Sequence, residues 1–175
     1  MSIFFTSDLH LGHTGILCHQ PNRIFVNTDE MDAVIIDVIN SEVKCNDVLW
    51  ILGDVVWKAS KAGHYRQRLK VRELHVVQGN HDSASLRNHV SSMVLMAYIK
   101  IAQQKFHLSH YPHASWRGRI HGSIHLYGHC HGSMEEKLNE IWPDRKAMDV
   151  GIDCAYKLFR EWRPFSLDEI LERFK

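Results

Sequence analysis

The feature that most constrains this chain is a repeated pattern in which an apolar run ends in residues able to bind a metal. Five clusters follow the pattern, in the order Asp8-Leu9-His10, Gly53-Asp54, Gly79-Asn80-His81-Asp82, Ser109-His110 and Gly128-His129-Cys130-His131. In layered α/β folds, active sites collect at the ends of strands. One cluster alone proves little, because Asn, Asp and Gly are ordinary turn residues. Five in this order predict that several strand ends meet at one site.

The donor chemistry of these clusters narrows the kind of site. The chain contains 14 histidines, an unusual number for 175 residues, and imidazole is the commonest metal ligand in proteins. Asp, His and Asn offer oxygen and nitrogen without thiolate. That mixture suits Mn²⁺, Fe, Zn²⁺ or Co²⁺ better than Ca²⁺, which takes oxygen ligands only. The sequence therefore predicts a transition-metal site.

Length, charge and cysteine content set broad limits. A chain of 175 residues fits one domain with a sizeable core, and the net charge of +1 gives no overall attraction to nucleic acid or membrane. No apolar run approaches the ~20 residues of a membrane span, and the first residues lead directly into a strand. The four cysteines show no CxxC spacing: Cys18, Cys45, Cys130 and Cys154. We expect a cytoplasmic protein with reduced thiols and no membrane partner.

The pattern of apolar residues predicts strands alternating with helices. Strands are expected over 3–5, 48–52, 74–78, 93–102, 105–109, 124–127 and 147–150, and helices over 28–39, 58–72, 83–89 and 166–174. Residues 9–27 are expected to form an irregular loop, with Thr28 capping the helix that follows. Ser166 and Glu169 have the spacing of a capping box. Strands with interspersed helices favour two packed sheets flanked by helices.

The ordered motifs Asp-x-His, Gly-Asp, Gly-Asn-His-Asp, a lone His after a strand, and Gly-His-x-His resemble those of the calcineurin-like metallophosphoesterases. The opening run Asp8-Leu9-His10-Leu11-Gly12-His13 is most similar to small bacterial and phage members. The resemblance covers essentially the whole chain. It implies an α/β fold, a four-layer αββα sandwich of two mixed β-sheets flanked by helices, in a single metallophosphoesterase domain spanning residues 1–175.

The resemblance also implies a division of labour among the clusters. Asp8, His10 and His131 would bind one metal, Asn80, His110 and His129 a second, and Asp54 both. His81 would protonate the leaving oxygen, with Asp82 orienting its ring. The cofactors would be two divalent transition metals (Mn, Fe, Zn or Co), with Mn favoured for activity. The reaction would be hydrolysis of a phosphomonoester or phosphodiester, such as a nucleotide, by attack of a metal-bridging hydroxide.

Other residues are weaker candidates for contact with the substrate. His13 follows the first cluster closely and could reach the pocket, against the alternative of a hydrogen bond within its loop. The arginines that could bind a phosphate are Arg23, Arg117 and Arg119, and the loop histidines are His113 and His121; a solvated surface position is the simpler interpretation of each. Trp57 stands where the family often has a second acid, Gly-Asp-x-x-Asp. As for the other four tryptophans, core or lid packing is expected of it in preference to a base-stacking platform.

Two functions from other classes compete with hydrolysis. A retromer subunit keeps this sandwich without its catalytic residues, so a non-catalytic protein-binding scaffold is the main alternative. The basic run 58–72 raises the separate possibility of nucleic-acid binding. The complete ligand set favours the enzyme, since a scaffold is expected to lack His81 or a ligand. The segment from Cys154 to Arg163 is longer than the usual family link and is expected to cover the pocket or a partner surface.

Overall fold

The computed structural model describes residues 1–175, in which nine strands alternate with six α-helices. The strands are β1 (Ile3–Thr6), β2 (Val48–Ile51), β3 (Glu73–Val77), β4 (Ser92–Val94), β5 (Met96–Ile101), β6 (Gln104–Ser109), β7 (Ile124–Tyr127), β8 (Ala147–Asp149) and β9 (Phe165–Ser166). The helices are α1 (Ile16–His19), α2 (Thr28–Glu42), α3 (Ala62–Arg68), α4 (Glu135–Ile141), α5 (Ile152–Phe159) and α6 (Leu167–Arg173). Three 3₁₀ turns lie at Ala59–Lys61, Ala84–His89 and Arg119–His121. None of the helices is long and apolar enough to cross a membrane.

The strands form two mixed sheets. The first has the order β4-β3-β2-β1-β9, in which only β9 runs antiparallel to its neighbour. The second has the order β5-β6-β7-β8, in which β5 is antiparallel to β6 and the remaining pairs are parallel. The predicted α/β sandwich of two mixed sheets with flanking helices is therefore confirmed.

Alternation along the strands distributes side chains between two hydrophobic clusters. Phe4 belongs to the larger cluster, which packs against α2 and α3, whereas Phe5 points into the smaller cluster shared by the two sheets. Ile51 and Leu52 divide in the same way at the end of β2. Strands buried on both faces need continuous apolar runs, which explains why the predicted central strand 48–52 has no polar residue.

The parallel strands bring the polar clusters to one edge of the sandwich. Asp8 follows β1, Asp54 follows β2 and Asn80 follows β3. In the second sheet, His110 follows β6 and His129 follows β7. Because the carboxyl ends of parallel strands share one edge of a sheet, the five clusters converge there.

The predicted single strand 93–102 is wrong. Its residues form β4 in the first sheet and β5 in the second, separated by Leu95, which is 73% exposed. The chain thus crosses between the sheets inside one apolar run. Both halves satisfy the same strand pattern, so periodicity could not reveal the crossing.

Two helix boundaries also bear on the predictions. Asn27, and not Thr28, caps α2, because its side chain accepts a hydrogen bond from the Glu30 amide at 2.9 Å. The loop expected over 9–27 contains the one-turn helix α1. The capping box of the last helix is confirmed, with Ser166 and Glu169 making both reciprocal hydrogen bonds.

Candidate metal centre

The strand-end clusters meet in two adjacent groups of metal-type ligands. Asp8, His10 and His131 form the first group, and Asp54, His110 and His129 form the second. Within each group, one ligand atom from every residue lies within 4.8 Å of the others. The family resemblance implies the same first group, but a second group of Asn80, His110 and His129, with Asp54 shared between the two metals. That these residues bind metal ions remains a prediction.

The backbone at this centre adopts a conformation that L-residues avoid. Eight non-glycine residues have a positive φ, and five of them are predicted ligands: Asp8, His10, Asp54, His129 and His131, with φ between 48° and 69°. A left-handed residue other than glycine costs of order 1–3 kcal/mol and persists only where the surrounding fold enforces it. Such strain at five ligand positions is typical of a functional site.

Two glycines permit the ligands to approach so closely. A Cβ atom at Gly79 would lie 2.2 Å from an oxygen of Asp54. A Cβ at Gly128 would lie 2.5 Å from an oxygen of Asp8 and still closer to Ser7. Any side chain at either position would displace a carboxylate of the site. Steric exclusion therefore explains why the two motifs have glycine at these positions.

His10 presents a buried nitrogen without a protein partner. Its Nε2 makes no hydrogen bond and lies 3.6 Å from Oδ2 of Asp54, while its Nδ1 lies 3.2 Å from Nδ1 of His13. Burial lowers the pKa of His10 to about 2, so the ring is neutral. A neutral imidazole with one free nitrogen is the form in which histidine binds metals.

His131 is held by a buried ion pair that the sequence analysis missed. Its Nδ1 lies 2.6 Å from Oδ2 of Asp153. Arg23 donates to the same carboxylate, from Nη2 to Oδ2 at 2.8 Å and from Nε to Oδ1 at 3.0 Å. A carboxylate behind a ligand histidine fixes the ring and raises its basicity. Asp153 lies in the first turn of α5 and belongs to no strand-end cluster, so the cluster pattern gave no signal for it.

Arg23 does not contact the substrate as predicted. Its side chain is fully enclosed, and besides Asp153 it donates to the main-chain carbonyls of Asp8 and Leu9. Arg23 therefore secures the first ligand loop from behind. The guanidinium of Arg23 does bind an anion through two nitrogens, as predicted, but the anion is the carboxylate of Asp153 and not a substrate phosphate.

In the second group, Asp54 and His110 form the central contact. Oδ2 of Asp54 lies 3.4 Å from Nε2 of His110, whose Nδ1 lies 2.8 Å from the carbonyl of Leu52. Burial acts to lower the pKa of His110, but the contact with Asp54 outweighs it and raises the value to about 9. At this contact a divalent cation would compete with a proton for the same nitrogen and oxygen atoms. Asn80 Oδ1 lies 3.0 Å from the same Nε2.

The second group opens toward solvent. His129 is exposed, and its amide donates to both oxygens of Asp8, at 2.9 and 3.1 Å. The ring of Tyr111 lies 4.4 Å from that of His129, and its hydroxyl donates to Asn80 Oδ1 at 3.2 Å. These contacts order the exposed rim without enclosing it.

His81 stands beside both groups and belongs to neither. Its amide donates to Oδ1 of Asp54 at 2.9 Å, and its ring lies 5.4 Å from that of His10. The ring lines an open cavity of about 320 Å³ together with ligands of both groups. Another cavity, of about 340 Å³, lies beside α4 and α5 and contains no member of either group.

Asp82 does not orient the ring of His81 as predicted. Its carboxylate accepts hydrogen bonds from the amides of Asp54, Val55 and Gly79, at 2.8 to 2.9 Å. Consecutive residues on a tight turn point apart, and here the turn aims Asp82 back at the β2 loop. Asp82 therefore fixes the backbone that carries Asp54.

The other predicted substrate residues divide between the site and elsewhere. His13 lines the cavity, with its ring stacked on Trp57. Arg117, in contrast, stacks over Tyr98 at 4.3 Å and is not part of the cavity wall. Arg119 pairs with Asp144, His113 contacts His107 and His125, and His121 lies in an exposed 3₁₀ turn.

Comparisons with known proteins agree with this geometry. Residues 1–143 match the calcineurin-like phosphoesterase superfamily domain, so the chain belongs to that family. An uncharacterized protein of Methanocaldococcus jannaschii is 30% identical over 172 residues, covering 97% of this chain and 89% of its own. The Gene 66 protein of Mycobacterium phage L5 is 27% identical, covering 89% of this chain and 88% of its own. The predicted family is confirmed.

A solved structure shows the same architecture. A protein of unknown function from Aquifex aeolicus superimposes with a TM-score of 0.79 at 21% identity, covering 98% of each chain. The match spans both sheets, including the segment from α5 to α6 that lies outside residues 1–143. The family and the ligand groups support a phosphoesterase role for the chain.

Proposed function

We propose that this protein is a dinuclear metal-dependent phosphoesterase that hydrolyses a phosphomonoester or phosphodiester. One observation carries the proposal: the two ligand groups are joined through one carboxylate. Oδ2 of Asp54 lies 3.6 Å from Nε2 of His10 and 3.4 Å from Nε2 of His110. A carboxylate placed between two groups of nitrogen and oxygen donors is a natural bridge for a pair of cations.

Two features of these residues fit divalent transition metals: the types of donor atom and a buried nitrogen atom without a hydrogen-bond partner. Nε2 of His10 is buried with no hydrogen-bond partner, which is unusual for a polar atom in a folded protein. The donor set contains carboxylates, imidazoles and the amide oxygen of Asn80 but no thiolate. This set favours Mn, Fe, Zn or Co, and we propose Mn²⁺ as the activating ion.

The metals and the chain would divide the chemistry between them. When bound, two divalent ions would activate a water at neutral pH and compensate the charge on the phosphoryl oxygens. His81 would donate a proton to the leaving oxygen. The hydrogen bond from its main-chain amide to Asp54 fixes the backbone at this point, and its ring lines the cavity that the ligands of both groups also line. A placed proton donor of this kind typically contributes ~10²–10⁴-fold in rate.

The supporting residues keep this arrangement rigid. Asp153 and Arg23 secure His131, and Asp82 secures the turn that carries Asp54. A scaffold without catalysis would not need five strained ligand positions and two supporting buried acids, since their cost brings no benefit to a binding surface. The same features therefore favour the enzyme over the scaffold.

A panel of phosphomonoesters and phosphodiesters, assayed with Mn²⁺, tests the proposal. We expect hydrolysis that excess chelator abolishes and added Mn²⁺ restores. His131→Ala should lower both metal content and rate, whereas the control His121→Ala, at an exposed histidine away from the centre, should change neither. Full activity in chelator with no bound metal would refute the proposal, and absence of hydrolysis across the panel would favour the scaffold.

A further inference from the structure

The cavity wall beside the metal ligands contains an exposed aromatic pair. The rings of Trp57 and His13 are stacked with centroids 3.7 Å apart and planes within 1° of each other. Trp57 is nevertheless 39% exposed, although burying its indole would be favourable. Both side chains line the cavity that contains His10, Asp54, His129 and His131.

This aromatic pair lies next to the group that would handle the leaving oxygen. The ring of Trp57 lies 4.9 Å from that of His81. The same cavity is lined by the largely buried Ile16 of α1 and by Gln20 at the end of that helix, whose side chain carries an amide. A flat ring inserted here would have aromatic contact on its face and a hydrogen-bonding group at its edge.

We propose that this part of the cavity, formed by His13, Ile16, His19, Gln20 and Trp57, is a stacking subsite for a nucleobase. The substrate would accordingly be a nucleotide ester. The inference rests on the proposed phosphoesterase function and names its substrate class. Stacking on an aromatic side chain accepts any base, because every base has a π-face. The amide of Gln20 can pair with the donors and acceptors of a base edge, which a plain aryl group lacks.

The distribution of charge supports an anionic nucleotide. Residues 55–134 contain eleven lysines and arginines, whereas their only acidic residues are Glu73 and Asp82. Asp82 is buried. The exposed cations include Lys58, adjacent to Trp57, and Lys61 in the following 3₁₀ turn. The overall charge of +1 conceals the excess of cations in this part of the chain, and the exposed Lys58 and Lys61 would favour the approach of phosphates to the surface near Trp57.

The size of the cavity agrees with a ring of this kind. Its volume of about 320 Å³ is at the lower end of small-molecule pockets, and it is open to solvent on one side. A nucleoside can therefore enter while the rest of a longer strand remains outside. Free nucleotides and single-stranded oligonucleotides present the same chemistry to the subsite.

The first test compares two esters that differ only in the base. Adenosine 5′-phosphate and ribose 5-phosphate are assayed with Mn²⁺, using wild type, Trp57→Leu and Trp57→Phe. Trp57→Leu should lower kcat/KM for the adenosine ester by about tenfold, the scale of one base stack, and leave the ribose ester unchanged. Trp57→Phe should retain most of the rate. The matched control Trp142→Leu, at the end of α4, should change neither ester.

An equal loss on both esters would overturn the proposal, because Trp57 would then act only by holding His13 against His10. Phenyl phosphate provides a second check. If Trp57→Leu lowers kcat/KM as much for phenyl phosphate as for the adenosine ester, the assignment of the subsite to a nucleobase would be overturned.

A binding measurement separates this inference from the proposed reaction. Adenosine is titrated into the wild-type protein in excess chelator, and the indole N–H proton resonances are followed by NMR. The Trp57 resonance, assigned by its absence in Trp57→Phe, should shift more than the other four. An unshifted Trp57 resonance would overturn the subsite even if esters are hydrolysed, whereas a shift without any hydrolysis would refute only the phosphoesterase.

A further comparison tests whether the base belongs to a single strand or to a free nucleotide. A single-stranded deoxyadenosine decamer and adenosine 5′-phosphate are compared in wild type and Lys61→Gln. Tighter decamer binding that weakens in Lys61→Gln identifies a strand as the source. Equal affinities, unaffected by the substitution, identify a free nucleotide. A decamer that binds without shifting the Trp57 resonance would contradict the proposal.

Discussion

The two ligand groups are similar in composition but differ in what holds them. The first group is supported by other side chains: His131 by Asp153, and His10 by His13. The second relies on the main chain, since His110 is oriented by the carbonyl of Leu52 and the exposed His129 has no supporting acid. Similar donors thus lie in one group that a buried carboxylate supports and in another that main-chain groups support and that is open to solvent at His129.

The difference predicts two metal positions of unequal character. A carboxylate behind a ligand raises its basicity and fixes its ring, and both effects favour tight binding. Solvent access at His129 favours exchange of the second ion and entry of the substrate. We therefore expect a tightly held first metal and a more exchangeable second metal. Variants that act on one group only will test this expectation.

The largest effect is expected at Asp54, whose carboxylate lies between the two groups. Asp54→Asn removes an anionic oxygen from His10 and His110 together, so both metals should be lost and activity should fall to background. Asp8→Asn should weaken mainly the first metal. The measurement is metal content and rate at saturating Mn²⁺. Equal losses in the two variants would contradict the bridging role.

His81→Ala should affect catalysis and not metal binding. Because His81 belongs to neither group, metal content and folding should be retained, while the rate on an ester with a poor leaving group falls ~10²–10⁴-fold. An ester that releases nitrophenolate needs little protonation and should be slowed less. His129→Ala is the control, since a lost ligand should slow both esters. Loss of a metal in His81→Ala, or equal slowing of both esters, would exclude a general acid at this position.

Asp153→Asn should weaken the first metal selectively, by ~10–100-fold in affinity. The substitution keeps the shape of the side chain but leaves Arg23 without its buried counter-charge. The free energy of unfolding should therefore fall by about 3 kcal/mol. Metal titration and denaturant unfolding measure the two effects. An affinity change at the second metal instead of the first would invalidate the comparison between the groups.

The smallest effect on metal affinity is expected at His13, whose neutral ring is a weaker support than a carboxylate. His13→Ala should lower the first metal's affinity by about tenfold or less, because His10 loses one hydrogen-bond partner. His13→Asn, which keeps a side-chain acceptor, should recover part of that loss. Unchanged affinity in both variants would show that His10 is held by packing alone.

The sequence predicted the centre better than its surroundings, for a physical reason. Ligands at the ends of parallel strands must share an edge of a sheet, so the apolar runs were enough to bring His110 and His129 together. Residues that act from elsewhere leave no such pattern. Asp153 lies in the first turn of α5 and Arg23 lies in the loop before α2, and only the folded chain shows that they form a pair behind His131.

The same distinction explains the errors in the fold and in the roles of single residues. Residues 93–102 satisfy a strand pattern throughout, but the pattern does not specify which sheet a strand joins, and the crossing at Leu95 was missed. The direction of the Asp82 side chain depends on local turn geometry, which residue spacing does not specify. Trp57 was assigned to packing, whereas it is exposed in the cavity wall.

Titration of the chelated, metal-free protein with Mn²⁺ most directly tests the dinuclear centre. The account predicts two ions per chain bound in two distinguishable steps, with hydrolysis appearing only as the second position fills. Asp153→Asn should weaken the tighter step, and His129→Ala should weaken the other. One ion per chain with full activity, or two identical steps that respond alike to both variants, would contradict the account.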